Sequence, residues 1–156
     1  MNRAPVTTAF IGLCAMAFAH GASAESSPFV GRWQWNRTES TVPLGEPTPK
    51  EVTAEIFRMD GTLVNWSLTV LADDGEKSIE SFEVLTNGEF HPVDSDTTAA
   101  FSLLGTVLQA TFKGPMGETD ILTCGLSADQ RKMVCNGIID NGDGRTTSYV
   151  DVYDRL

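Results

Sequence analysis

The chain has 156 residues and a formal net charge of −10, with 11 basic residues against 21 acidic ones. A surface of this charge repels phosphate backbones, so the composition argues against nucleic acid as a partner. The length suits a single domain with one hydrophobic core.

The first element in the chain is a leader over residues 1–24 that has the composition of a secretory signal peptide. Arg3 supplies a basic start, an apolar run covers residues 9–19, and Ala22-Ser23-Ala24 matches the site of a signal peptidase. The apolar run is only about half of the roughly 20 residues needed to span a bilayer. We therefore expect a periplasmic or secreted protein without membrane insertion, whose folded domain is residues 25–156.

A strand that starts at Phe29 comes next, and its alternation places Gly31, Trp33 and Trp35 on one face. The glycine permits a sharp bend, so Trp33 is predicted to seal the closed end of a β-barrel. Arg155, next to the C-terminus, is the best candidate for a cation stacked over that ring. Gly31, Trp33 and Arg155 are therefore interpreted as structural residues.

The remaining segments are short, rich in β-branched and aromatic residues, and often alternate between apolar and polar. They occupy residues 52–57, 63–70, 79–84, 98–103, 106–112, 118–123, 133–139 and 146–152. Turn signals such as Asn87-Gly88 separate them, and only residues 37–48, which are followed by Pro49, read as a loop or short lid. This regular spacing predicts an all-β fold, an antiparallel up-and-down β-barrel of about eight to ten strands.

Two cysteines follow the leader, Cys124 and Cys135, on either side of a polar turn at residues 127–132. If residues 121–125 and 133–139 pair as a hairpin, the two sulfurs face each other, which predicts a disulfide and fits an oxidising compartment. A redox-active or metal-binding pair would need a CxxC spacing or nearby histidines, and the sequence has neither.

Short motifs along the domain resemble those of small exported bacterial lipocalin-like proteins, most of them without an assigned function. The Gly-x-Trp near the start is also similar to the lipocalin signature. The matching residues are Phe29, Gly31, Trp33 and Asn36, then Asn87-Gly88 and His91-Pro92-Val93, and finally Val152-Tyr153. The resemblance implies a calycin barrel with an internal cavity. The Thr-Asp-Tyr turn of the lipocalins and their helix after the last strand are missing, so a transport role carries over only weakly.

A barrel of this size has room for one small, mostly apolar molecule, which is the first functional hypothesis for this chain, acting as a monomer. The residues predicted to contact it lie on the apolar sides of strands: Trp66, Leu68, Phe82, Phe101 and Phe112. Core packing is the competing interpretation for each of them.

His91 carries a second hypothesis, a lyase or isomerase that needs no cofactor. It is the only histidine after the leader, and Asp94 follows three residues later, so the pair has the residue types of a general base and its orienting carboxylate. A hydrogen-bonded structural histidine is the alternative.

The sequence predicts no metal site and no cofactor. Residues 140–144 carry acidic oxygens at short intervals, but they lack the later glutamate of an EF-hand and join two strands, which favours a hairpin turn. A third hypothesis is an accessory or inhibitor barrel that binds another protein through the loop of residues 38–49. It predicts a large exposed apolar patch.

Overall fold

The structure is a computed structural model that describes residues 27–43 and 47–156. The predicted leader, residues 1–24, lies outside the described residues. Ten strands make up the fold: β1 (Gly31–Trp35), β2 (Glu51–Met59), β3 (Leu63–Leu71), β4 (Lys77–Leu85), β5 (His91–Pro92), β6 (Thr98–Leu104), β7 (Val107–Lys113), β8 (Thr119–Leu126), β9 (Lys132–Asp140) and β10 (Thr146–Arg155). The predicted all-β architecture is confirmed, and the structure adds the short strand β5.

The strands form one antiparallel sheet in the order β4-β3-β2-β1-β10-β9-β8-β7-β6-β5. Most strands pair with their neighbours in sequence, and β1 pairs with β10, so the two ends of the meander meet. Among the strands that the structure describes, the only opening lies between β4 and β5. The sheet is therefore an up-and-down barrel that is nearly closed.

Aromatic side chains close the interior side of this opening. Phe82 on β4 lies 5.5 Å from Phe101 on β6 and 6.2 Å from Phe112 on β7, measured between ring centroids. At one end of the opening, the amide of Gly88 donates a hydrogen bond of 2.9 Å to the carbonyl of Phe101. Ring packing thus replaces the missing strand pairing over most of the seam.

The core lies inside the barrel because alternate residues of each strand point inward. On β2 the burial alternates in this way through Val52, Ala54 and Ile56, and on β6 through Ala99 and Phe101. A bulge after Ile56 shifts the register against β3 and lets Met59 turn inward as well.

The base of the barrel is closed by β1 and the end of β10. Trp33 is fully buried, and its indole N–H donates a hydrogen bond of 2.9 Å to the carbonyl of Phe29. The Arg155 guanidinium lies over the Trp33 ring, 4.0 Å from the centroid, and Gly31 leaves room for it, because a Cβ there would be 2.8 Å from Nη1.

Candidate functional site: an interior cavity with an acidic wall

Two adjoining cavities of about 260 and 300 Å³ lie inside the barrel. They share four lining residues: Leu68, Tyr149, Asp151 and Tyr153. The first cavity reaches across β3, β4, β7 and β8, and the second lies towards β1, β2 and the segment before β2. Each is close to the lower end of the range for ligand pockets, roughly 300–1,000 Å³, so the space suits a compact molecule.

The second cavity is bordered by the proline-rich segment that the sequence predicts to be a loop. Val42, Pro43, Pro47 and Pro49 line it, while residues 44–46 are outside the described part of the chain. Thr41 anchors the segment, because its amide donates to the carbonyl of Val150 at 2.8 Å. Rigid proline rings therefore form part of the wall next to β10.

Two carboxylates face the interior, Asp120 on β8 and Asp151 on β10, and both line the first cavity. The Tyr149 hydroxyl donates to Asp120 Oδ2 at 2.7 Å, and the Trp35 indole N–H donates to Asp151 Oδ1 at 2.8 Å. Burial raises the pKa of both carboxyls above the ordinary value of 3.8, and the charge of Asp120 raises the pKa of Asp151 further. Among residues 27–43 and 47–156, no cation offsets the burial of either carboxyl.

A glycine positions the tyrosine between these acids. Gly137 on β9 lies opposite Tyr149 in the β9–β10 pair, and a Cβ at Gly137 would be 2.0 Å from a ring atom of Tyr149. The ring therefore lies across the glycine and reaches Asp120 on the strand beyond it. Burial and the bond to Asp120 raise the pKa of the Tyr149 hydroxyl, so it stays a proton donor near neutral pH.

Two polar atoms on the cavity wall are buried and find no hydrogen-bond partner among the described residues: Trp66 Nε1 and Asp120 Oδ1. Trp66 is only 7% exposed, and a buried donor without a partner costs about 1–3 kcal/mol. Two residues of the wall, Trp66 and Asp120, therefore each keep one buried polar atom with unused hydrogen-bonding capacity next to aromatic rings.

The acidic wall makes a prediction for stability. Because the folded-state pKa values of Asp120 and Asp151 are raised, the folded protein binds protons at these carboxyls more readily than the unfolded chain does. The contribution of the two carboxyls to the free energy of unfolding therefore falls as pH rises from about 3.8 through the raised pKa values. Asp120→Asn and Asp151→Asn should each raise the free energy of unfolding at pH 7, by less than about 1 kcal/mol since solvent screens part of the penalty. Urea titrations at pH 4 and pH 7 measure the effect.

The control for that prediction is Asp60→Asn, which should destabilise the protein. Asp60 is partly exposed, and hydrogen bonds from Thr62 and Arg58 lower the pKa of its carboxyl. Removing this charge should therefore lower the free energy of unfolding, the opposite of the effect expected at Asp120 and Asp151. Loss of stability in the Asp120 and Asp151 variants at pH 7 would contradict the burial argument.

The sequence-predicted contact residues fall into two groups. Trp66, Leu68, Phe82 and Phe112 line the first cavity. Phe101 is fully buried and packs edge-on against Phe112, with centroids 5.6 Å apart, at the seam of the sheet. Phe101 is not among the side chains that line the two cavities, because its ring is used to close the barrel.

No hydrogen bond or ion pair joins His91 and Asp94 in the described part of the chain. The His91 ring nitrogen Nε2 lies 3.1 Å from Asn87 Oδ1, and Asp94 Oδ1 accepts hydrogen bonds from the amides of Asp96 and Thr97 in an exposed turn. Neither residue is among those that line the interior cavities. The geometry therefore gives the general-base hypothesis no support.

Cys124 and Cys135 lie directly opposite each other in the β8–β9 pair and form a disulfide, with Cα atoms 4.0 Å apart. Both are buried, and Cys135 borders the first cavity. The disulfide thus ties together two strands next to the acidic wall.

Sequence reasoning missed Asp120, Tyr149 and Asp151. A usable signal was present, because the alternation Tyr149-Val-Asp151-Val-Tyr153 places an aspartate between two tyrosines on one face of β10. In the same way, Asp120 alternates with Leu122 and Cys124, which face inward on β8. An aspartate that shares the alternation of buried residues along a strand therefore indicates a carboxylate that faces the interior.

Other kinds of site receive no support within residues 27–43 and 47–156. No group of three or more His, Cys, Asp or Glu side chains there is arranged to hold a metal ion. The same residues include no helix with the length and hydropathy needed to cross a bilayer.

These features define the fold class as an antiparallel up-and-down β-barrel with an interior cavity. No protein-family model matches the sequence, and no curated protein matches it. Among solved structures, the chain is similar to wild-type fluorescent protein UnaG, with a TM-score of 0.54 and 17% identity over 82% of this chain and 97% of that one. It is also similar to a fatty-acid-binding protein from brain tissue of Drosophila melanogaster, with a TM-score of 0.51 and 18% identity over 81% and 98%. Identities this low establish the fold alone.

Proposed function

We propose that this chain is an exported lipocalin-like protein that binds one small, mostly apolar molecule inside its barrel. The observation that carries the proposal is the first cavity, where the core residues of β3, β4 and β8 leave about 260 Å³ of space. A protein that needed the barrel only as a scaffold would be expected to fill this space with side chains. The similar barrel from Drosophila, named for fatty-acid binding, adds an analogy of fold.

The proposed site is in the half of the barrel away from Trp33. Trp66, Phe82, Phe112 and Leu122 supply its apolar surface, and apolar area removed from water contributes about 25 cal/mol per Å² to binding. The polar groups of the wall would fix the orientation of the ligand, as in other small-molecule sites.

Export is the second part of the proposal. It rests on the leader composition of residues 1–24 and is consistent with the Cys124–Cys135 disulfide, since disulfides persist in oxidising compartments. The N-terminal residue of the protein isolated from its natural source tests it. A start near Glu25 is expected, and retention of Met1 would contradict export through a cleaved leader.

Binding is tested with N-phenyl-1-naphthylamine, a neutral aromatic probe whose fluorescence rises in apolar surroundings. Leu122→Trp places a larger side chain in the cavity and should weaken probe binding at least about tenfold, which is a loss of about 1.4 kcal/mol. The matched control is Ile121→Trp, because Ile121 is the neighbouring residue on β8 and is 48% exposed on the outer face. Circular dichroism checks that both variants fold.

Probe binding that is weakened in Leu122→Trp and unchanged within about twofold in Ile121→Trp would support the proposal. Equal binding in both variants would place the probe outside the cavity. No binding to the unmodified protein would contradict a small-molecule function.

A further inference from the structure

The charges on the cavity wall all have one sign. Asp120, Asp151 and Glu80 line the first cavity, and none of the described residues around either cavity is a lysine, arginine or histidine. Glu80 is exposed on the edge strand β4, opposite Leu68, while the two aspartates lie deeper in the barrel. A ligand entering this space meets negative charge and no compensating cation.

One carboxylate oxygen of the wall accepts no hydrogen bond from the described residues. Tyr149 and Trp35 each donate to one aspartate oxygen, but Asp120 Oδ1 is buried and accepts no bond from the described residues. Carboxylates removed from water are costly unless they are paired with a cation or with several donors. Asp120 therefore lacks a charged or strongly polar hydrogen-bond donor for its second oxygen.

Trp66 gives independent evidence that the wall is built for a polar ligand group. Trp66 is only 7% exposed, and its Nε1–H has no acceptor among the described residues. The ring lines the same cavity as Asp120. A ligand with an acceptor atom in its apolar body would satisfy Trp66, while a donor group would satisfy Asp120.

Aromatic rings around the carboxylates favour a cation further. Trp66, Phe82, Phe112, Tyr149 and Tyr153 all border the first cavity. The faces of such rings attract cations by about 0.5–2 kcal/mol, with the larger values where water is excluded. Carboxylates beside aromatic rings are the combination that recognises organic ammonium groups.

We propose that the cavity selects a compact aromatic or apolar amine, whose ammonium group binds between Asp120 and Asp151 and whose apolar body contacts Trp66 and Phe82. This inference rests on the proposed binding function and narrows its ligand class. A ligand carboxylate, such as that of the fatty acids named for the Drosophila barrel, would lie against like charges in a poorly solvated space.

The test compares three ligands with one aromatic skeleton: 1-naphthylmethylamine, which is cationic at pH 7, the neutral 1-naphthylmethanol, and anionic 1-naphthoate. Each is titrated into the protein by calorimetry at about 0.15 M salt, which limits the reach of surface charges to about 8 Å. The amine should bind at least about tenfold more tightly than the alcohol, and the naphthoate should bind most weakly.

A charge-neutral double variant tests the position of the site. Asp120→Asn with Asp151→Asn keeps the side-chain shape and an oxygen acceptor at each position, so the barrel should remain folded. The tenfold preference for the amine, measured as the ratio of its affinity to that of the alcohol in the same variant, should disappear. The control is Asp73→Asn with Asp74→Asn, which removes the same charge from an exposed turn and should leave the preference intact.

The outcomes separate the two proposals. If the alcohol binds but the amine binds no better, or if the naphthoate binds most tightly, the cationic-ligand inference is wrong and the binding function stands. A preference that survives in the Asp120/Asp151 variant, or is lost equally in the Asp73/Asp74 control, would overturn the assigned site. Failure of all three ligands and of N-phenyl-1-naphthylamine would overturn both proposals.

Discussion

Arg155→Ala is expected to lower the free energy of unfolding by about 3 kcal/mol, because one side chain donates hydrogen bonds to three backbone carbonyls at the base of the barrel. Its Nε donates to the carbonyl of Gln130 at 2.8 Å, Nη1 donates to Val30 at 3.0 Å, and Nη2 donates to Pro28. The guanidinium also covers the Trp33 ring. Alanine would leave these carbonyls and the ring without their partner.

Chemical denaturation of the unmodified protein, Arg155→Ala, Arg155→Lys and Arg37→Ala measures this effect. Lysine keeps the charge but lacks the planar fork of donors, so it should recover less than half of the loss. Arg37 is exposed, and its replacement should change stability by less than about 0.5 kcal/mol. A loss in Arg155→Ala no larger than in Arg37→Ala would show that the base is held together by other contacts.

Removal of the disulfide is expected to have an effect of similar size. In the chain-entropy model, a crosslink between residues 11 apart stabilises the folded state by about 3 kcal/mol. Cys124→Ala with Cys135→Ala should lose that amount, plus a smaller contribution from the buried volume that the sulfurs occupied. The β8–β9 ladder should survive, since its backbone pairing runs the full length of both strands.

Urea unfolding with and without a thiol reductant measures the disulfide effect. Reductant should lower the unfolding midpoint of the unmodified protein towards that of the double variant and should leave the variant unchanged. A reductant-insensitive unmodified protein with the stability of the variant would mean that the crosslink contributes nothing.

The fold could be predicted from the sequence because its signals are local. Alternation in segments such as residues 63–70 and turn pairs such as Asn87-Gly88 require only near neighbours, and the hairpin around residues 127–132 sets Cys124 opposite Cys135. The two-residue strand β5 carries too little sequence to form a pattern and depends on pairing with β6.

The acidic wall could not be predicted in the same way because it depends on contacts between distant strands. Asp120 and Tyr149 are 29 residues apart, and Trp35 and Asp151 are 116 residues apart. Aspartates mostly lie on protein surfaces, so an inward-facing aspartate is recognised only once the register of β8 and β10 is known. Phe101 shows the converse case, since an apolar residue on an inner face can close a seam and need not line a cavity.

The barrel combines a closed base, an acidic wall held by hydrogen bonds and an interior that keeps space for a ligand-sized cavity. Arg155 covers Trp33 at the base, and Gly137 leaves room for the Tyr149 ring, whose hydroxyl donates to Asp120 in the wall. The space that remains has aromatic sides and acidic oxygens. The two carboxyls whose pKa values burial raises, Asp120 and Asp151, border that space.

The three tryptophans provide the most direct test of the central claim, that a small molecule binds in the interior cavity. Their indole N–H groups differ in place: Trp66 lines the cavity, Trp35 donates to Asp151, and Trp33 donates to Phe29 at the base. A ¹H–¹⁵N NMR titration with 1-naphthylmethanol should shift the Trp66 signal most and the Trp35 signal less, and should leave the Trp33 signal unchanged. Shifts confined to Trp33 or to amides on the outer face of the barrel would contradict binding in the cavity.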